Sequence, residues 1–294
     1  MALGGGGARG LAHLGVLKVL EDRGIVCDLV AGTSFGSIAG AMYAQCPKID
    51  TIRRRVCEIL TSEAFKRTQL FFLKRHYEEK KQANFISNLR SYLETGLFFG
   101  ISLRRSSFIR ESDFLNHIGL LLEDRNIEET VIPFVAVATD LIEGDEVVLS
   151  SGPIRRGVAA SCAIPGVFPP ITIGEWRLID GGWTNSIPVS PLKQMGADFI
   201  IAVDTSEDDG NLRHHNTGLE IVLRAGEITR RLLSQIQMKN ADIVIRPDIG
   251  GIHWSDFQRY EEAFQKGEEA AFAKIDELTR LLAERRGPCD KVGV

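Results

Sequence analysis

Long apolar runs are missing from this 294-residue sequence. No stretch approaches the ~18 consecutive apolar residues of a membrane span, so a soluble chain is expected. Met1, Ala2 and Leu3 lead straight into a glycine run with no basic flank, which argues against a secretory leader. A strand feeding such a loop normally has about five residues, so a short edge strand or a trimmed start is expected. Cysteine is sparse and odd in number: Cys27, Cys46, Cys57, Cys162 and Cys289. They carry no C-x-x-C spacing, which excludes a zinc ribbon and a disulfide framework and points to reduced thiols in the cytoplasm. No calcium-ligand pattern is present, so neither metal nor cofactor is expected. A basic excess is absent too: the formal charge is −4, the wrong sign for a nucleic-acid partner. There is no internal repeat.

What is present alternates between strand and helix. Ala8–Glu21 has helical spacing through Leu11, Leu14, Leu17 and Leu20, and Gly24 suits a left-handed C-terminal stop. Asp28–Ala31 is a short apolar run that turns at Gly32-Thr-Ser-Phe-Gly36 into a helix over Ser37–Ala44. Later segments read as a strand at Val131–Thr139 and a hairpin arm at Asp145–Leu149. A helix at Ile154–Ser161 and a hairpin over Ile171–Ile179 come next. They are followed by a short helix at Pro191–Met195, a strand at Phe199–Val203, a helix at Gly218–Gln237, a strand at Ala241–Ile245 and a charged helix over 255–286. This order predicts a single α/β domain over 1–294, with a mostly parallel central sheet and helices on both faces.

The segment 61–114 departs from that pattern. Between Ala64 and Arg110 it holds ten basic and three acidic residues, a net of +7, with aromatics such as Phe65, Phe71, Phe72, Tyr77 and Phe85. It reads as an inserted helical cap or lid. Two roles stay open for 64–110: peripheral contact with an anionic membrane, where each basic side chain contributes ~1 kcal/mol, or a solvated excursion whose aromatics pack on the core.

Three constellations carry chemistry. In Gly4-Gly-Gly-Gly-Ala-Arg-Gly10, a glycine loop at a helix start leaves backbone N–H groups free for an anion. That anion is a dinucleotide pyrophosphate, as Gly5-x-Gly7-x-x-Gly10 suggests, or the oxyanion of an ester under attack; a bare tight turn is the third reading. The dinucleotide reading needs an acid at the end of the second strand. Asp28 instead starts that strand, and Gly32-Thr-Ser-Phe-Gly36 occupies its end. This pentapeptide is itself a nucleophile elbow, a turn that pushes the Ser34 hydroxyl out of the sheet edge. Asp180-Gly181-Gly182 follows a hairpin arm and is either a plain turn or a carboxylate placed to take a proton.

In this order the three resemble the signature of the patatin-like phospholipase family, in its bacterial form: G-G-G-x-[RK]-G, G-x-S-x-G and D-G-[GA]. The stretches Gly10–Leu17, Ala160–Pro170 and Asn185–Val189 also look like that family. The resemblance covers about residues 1–60 and 131–205, and it implies a three-layer α/β/α fold. It further implies a serine acyl-hydrolase of fatty-acyl esters or phospholipids that works through an acyl-enzyme. By the same resemblance Ser34 is the nucleophile and Asp180 its base. The oxyanion loop is Gly5, Gly6, Gly7 and Arg9, with the Gly6 and Gly7 amides holding the charge; Gly10, Gly32, Gly36, Gly181 and Gly182 complete the motifs. A catalytically idle lipid-binding protein of the same fold is the competing reading. A Ser–His–Asp triad would need one of His13, His76, His117, His214, His215 or His253, and His253 is the best placed of these. Asp140 and Asp204, at strand ends, read as turn or helix caps before site residues.

Overall fold

The computed structural model describes residues 1–66, 107, 109–206 and 218–286; most of the expected cap at 61–114 and both His214 and His215 lie outside these. One sheet orders its strands β5-β6-β3-β2-β1-β7-β8, with β4 also paired to β3. The strands are β1 (Ala2–Leu3), β2 (Val30–Thr33), β3 (Phe134–Asp140), β4 (Glu146–Leu149), β5 (Ile171–Ile173), β6 (Trp176–Asp180), β7 (Ile201–Val203) and β8 (Ile243–Ile245). Five of them, β3-β2-β1-β7-β8, run parallel. The other three are antiparallel to their neighbours.

Strand residues are apolar on both faces because both faces are covered. Alternation along the strands sends Leu3, Val30, Phe134, Ala136 and Val203 into a large core on one side. Ala2, Ala31, Val135 and Ala202 enter a smaller one on the other. The helices are α1 (Ala12–Asp22), α2 (Phe35–Gln45), α3 (Ile49–Thr61), α4 (Glu63–Lys66), α5 (Glu111–Leu121), α6 (Ile154–Ser161), α7 (Val189–Gln194), α8 (Gly218–Met238) and α9 (Tyr260–Arg286). Helix α2 is buried from Gly36 to Ala44; its glycines and alanines let it lie directly on β2 and β3. The glycine loop differs from the expected continuous helix. Gly7–Leu11 is a separate 3₁₀ turn and α1 starts only at Ala12, since a run of glycines has little α propensity.

Register on β3 positions the site. Thr33 of β2 pairs with Val137, and Asp180 of β6 pairs with Ala138, the next residue. Strand β4 spans Ala136–Thr139 on the opposite edge, so β2 and β6 share one edge of β3 and meet there end to end. The residues at their tips are Ser34 and Asp180.

Candidate active site

Ser34 is built as an elbow. Its φ of 53° is the one positive value outside glycine among the described residues, a strained conformation of the kind concentrated at functional sites. The turn is tight enough that a Cβ on Gly36 would come within 2.2 Å of the Leu3 carbonyl oxygen, and one on Gly32 within 2.4 Å of that of Gly36. The Ser34 amide donates to Ser161 Oγ at 3.0 Å. That hydroxyl in turn donates to the Val137 carbonyl at 2.5 Å. Helix α2 starts immediately after, so its positive end faces the serine.

Asp180 is buried at the tip of β6. Its Oδ1 accepts from the Gly182 amide at 2.8 Å, and the Ser34 hydroxyl is near enough to favour its charged form. Burial pushes the Asp180 carboxyl above its ordinary value; the Ser34 hydroxyl, the Gly182 amide and the Arg230 charge oppose that in part. Arg230 lies over the Trp183 ring, 4.7 Å from its centroid.

The glycine loop passes beside the serine: a Cβ on Gly5 would lie 3.2 Å from Ser34 Cβ. Gly5 belongs to the expected oxyanion loop, and its amide donates to the Ser186 carbonyl at 3.1 Å. A committed N–H cannot serve a second acceptor in another direction, so Gly5 contributes close packing instead. The amides of Gly6 and Gly7 make no hydrogen bond within the described residues. Arg9 Nε donates to the Gly6 carbonyl at 3.3 Å, which fixes the loop.

From Ser34 an apolar cavity of about 100 Å³ runs between α2, α3 and α5, walled by Leu11, Phe35, Met42, Val56, Phe114 and Phe168. The Phe114 and Phe168 rings stack 4.0 Å apart. His117 also lines it, and burial lowers the pKa of its imidazole.

The remaining candidates sit elsewhere. His253 Nδ1 faces Ser255 Oγ at 2.8 Å and its ring lies beside Trp254, so it serves its own loop. His13 is fully buried, with Nε2 2.7 Å from the Gly4 carbonyl. Asp140 accepts from the amides of Glu143 and Arg177. Asp204 accepts from Ser206 and pairs with Arg246. Both acids are thus engaged by neighbouring turn and strand groups. Among the described residues no group of three or more His, Cys, Asp or Glu could hold a metal ion, and no helix is long and apolar enough to cross a membrane.

The description of the family model that matches residues 1–193 is patatin-like phospholipase. The chain belongs to that family. Among its relatives, lysophospholipase NTE1 of Kluyveromyces lactis is 28% identical over 292 residues, covering 91% of this chain and 18% of the yeast protein. Patatin-like phospholipase domain-containing protein 7 of Rattus norvegicus is 28% identical over 323 residues, covering 98% of this chain and 22% of the rat protein. The chain therefore spans about a fifth of the length of these curated relatives. Both are eukaryotic, and the bacterial form of the family rests on the motifs alone. Among solved structures, VipD from Legionella pneumophila is similar, at 15% identity with a TM-score of 0.47, over 93% of this chain and 66% of that one. Two polar side chains close to this patatin-like site, Ser161 and Thr205, were missed by the sequence reading. Neither has a motif of its own, although Ser161 falls inside the family-like stretch Ala160–Pro170.

Proposed function

We propose that this protein is a serine acyl-hydrolase that cleaves fatty-acyl esters, of phospholipase A or lysophospholipase type, with Ser34 as nucleophile and Asp180 as general base. The observation that carries the reading is the register that brings Ser34, at the tip of β2, and the buried Asp180, at the tip of β6, together on one edge of β3, with Ser34 at the wall of an apolar cavity. A carboxylate whose pKa is raised by burial is a stronger base toward the hydroxyl. As Ser34 Oγ bonds to the ester carbonyl carbon, its proton passes to Asp180. The oxyanion is held by the Gly6 and Gly7 amides, and the proton then goes to the leaving alcohol. Water, deprotonated by Asp180, hydrolyses the acyl-serine and restores the free enzyme. The cavity takes the acyl chain, which matches a lipid ester better than a small polar one. Lysophospholipase NTE1 carries a lysophospholipid activity in its name, which supports the same substrate class here. Contact of residues 64–110 with an anionic membrane belongs to the same proposal, on the strength of the +7 charge.

The test is labelling with a fluorophosphonate together with hydrolysis of p-nitrophenyl esters of graded length. Wild type is expected to be labelled and to prefer longer chains. Ser34→Ala is expected to lose both signals, and Asp180→Asn to lose turnover. Labelling that persists in Ser34→Ala means another nucleophile is at work. A wild type that hydrolyses no ester supports the idle-fold reading instead.

A further inference from the structure

Three consecutive carbonyls of the glycine loop are each held by a different side chain. The Gly4 oxygen accepts from His13 Nε2 at 2.7 Å, the Gly5 oxygen from Thr205 Oγ1 at 3.3 Å, and the Gly6 oxygen from Arg9 Nε at 3.3 Å. A trans peptide sets the carbonyl of one residue antiparallel to the N–H of the next. Holding the Gly5 carbonyl toward Thr205 therefore turns the Gly6 N–H away from it, and holding the Gly6 carbonyl toward Arg9 does the same for the Gly7 N–H. Those are the two amides of the loop left without a partner in the described residues.

Thr205 stands at the centre of this support. It lies two residues beyond the end of β7, is fully buried, and its hydroxyl also lies 3.4 Å from His13 Nε2. A carbonyl can only accept, so the bond to Gly4 places the proton on His13 Nε2 and leaves Nδ1 bare; Nδ1 is buried without a partner. The Thr205 oxygen can then share the His13 proton while its own proton goes to Gly5. Gly6 presses against the same side chain, since a Cβ there would come within 2.5 Å of Thr205 Oγ1. Ser34 lies against the loop at Gly5.

We propose that Thr205 is a positioning residue for the acyl-transfer reaction, its hydroxyl aiming the Gly6 N–H at the oxyanion that forms on the ester bound to Ser34. The inference rests on the serine-hydrolase reading above. Thr205 touches no reacting atom, so its loss leaves substrate binding alone and weakens only what the loop does as charge develops.

The experiment compares steady-state p-nitrophenyl ester hydrolysis by wild type, Thr205→Val and Thr205→Ser, with melting temperatures taken on the same samples. Thr205→Val keeps the shape and removes the donor. Its kcat is expected to fall on the order of tenfold, short of the hundredfold typical of deleting an oxyanion donor, while KM stays within about twofold. Thr205→Ser is expected to return kcat to near wild type. If Thr205→Val does not fold, Thr205→Ala is read in the same way, since it leaves space and creates no clash. An unchanged kcat, a change in KM alone, or a serine variant that fails to restore kcat overturns the proposal. A wild type inert toward both fluorophosphonate and esters overturns the hydrolase reading itself, which separates the two failures.

Discussion

The Ser161 hydroxyl lies 3.0 Å from the Ser34 amide nitrogen and accepts its hydrogen bond, although the two stand 127 positions apart in the chain. The same hydroxyl donates to Val137 on β3, so it ties the strained elbow to the central strand. A positive φ at a serine costs of order 1–3 kcal/mol and persists only where such bonds hold it.

Ser161→Ala is therefore expected to lower stability by about 1–3 kcal/mol, the cost of stranding a buried N–H, and to slow fluorophosphonate labelling of Ser34. Ser161→Thr, which keeps the hydroxyl, is expected to label faster than the alanine variant. Equal melting temperatures for wild type and Ser161→Ala, measured by calorimetry, would sink this account.

Asp180 has a pKa raised by burial. The folded protein thus favours its neutral form, and keeping it ionised at neutral pH costs stability. Asp180→Asn removes that charge while an amide oxygen still accepts from Gly182. The variant is expected to melt at or above wild type at pH 7 yet lose activity by a thousandfold or more, on the order seen when one member of a catalytic unit is deleted. For wild type, the acid limb of kcat should lie above the ordinary carboxylate range, because Asp180 must be ionised to accept the proton.

His13 has the opposite linkage. Burial lowers its pKa from 6.5 to about 4, so on acidification the unfolded chain takes up a proton that the folded one refuses. Its neutral form stabilises the fold above pH 6.5, and that contribution is lost as pH falls toward 4, by ~3 kcal/mol in all. His13→Gln, which retains a side-chain N–H, is expected to lose less stability over this window than wild type. Chemical denaturation at several pH values measures the difference.

Leu60 is partly buried on the cavity wall. Leu60→Trp should shorten the room for an alkyl chain, and the expected result is a several-fold loss of kcat/KM for long p-nitrophenyl esters with short ones nearly unaffected. Competition between two chain lengths in one cuvette reads this ratio directly.

The α/β class was legible from the strand–helix alternation, and Ile154–Ser161 matches α6 residue for residue. Most other ends fall within three residues of the expected ones, but α1 starts four residues after Ala8 and α9 five residues after 255. The strand expected at Val131–Thr139 is Phe134–Asp140, because Pro133 removes a ladder donor at its start. The three antiparallel strands were legible as the hairpin arms at Asp145–Leu149 and Ile171–Ile179, but their shared pairing with β3 was not, because register across the sheet leaves no local pattern. Within the candidate site, Ser34, Asp180 and Arg9 could be named because each sits in a compact motif. The commitment of the Gly5 amide to Ser186 depends on a contact 181 residues away, and no local pattern encodes it. Thr205 was invisible for the same reason: a single threonine after a strand has no spacing to betray it.

Because β2 and β6 abut along one edge of β3, the distance between nucleophile and base is set by a ruler two residues long. The 145 residues that separate Ser34 and Asp180 in the chain do not enter into that measurement. Loops between them can be lengthened, shortened or exchanged without detuning the pair, whereas one residue added to or removed from β3 between Val137 and Ala138 would pull the two tips out of step. Tolerance to insertion should therefore be generous in the connecting loops along that span and vanish in β3, β6 and the helices that carry Gly36 and Ser161.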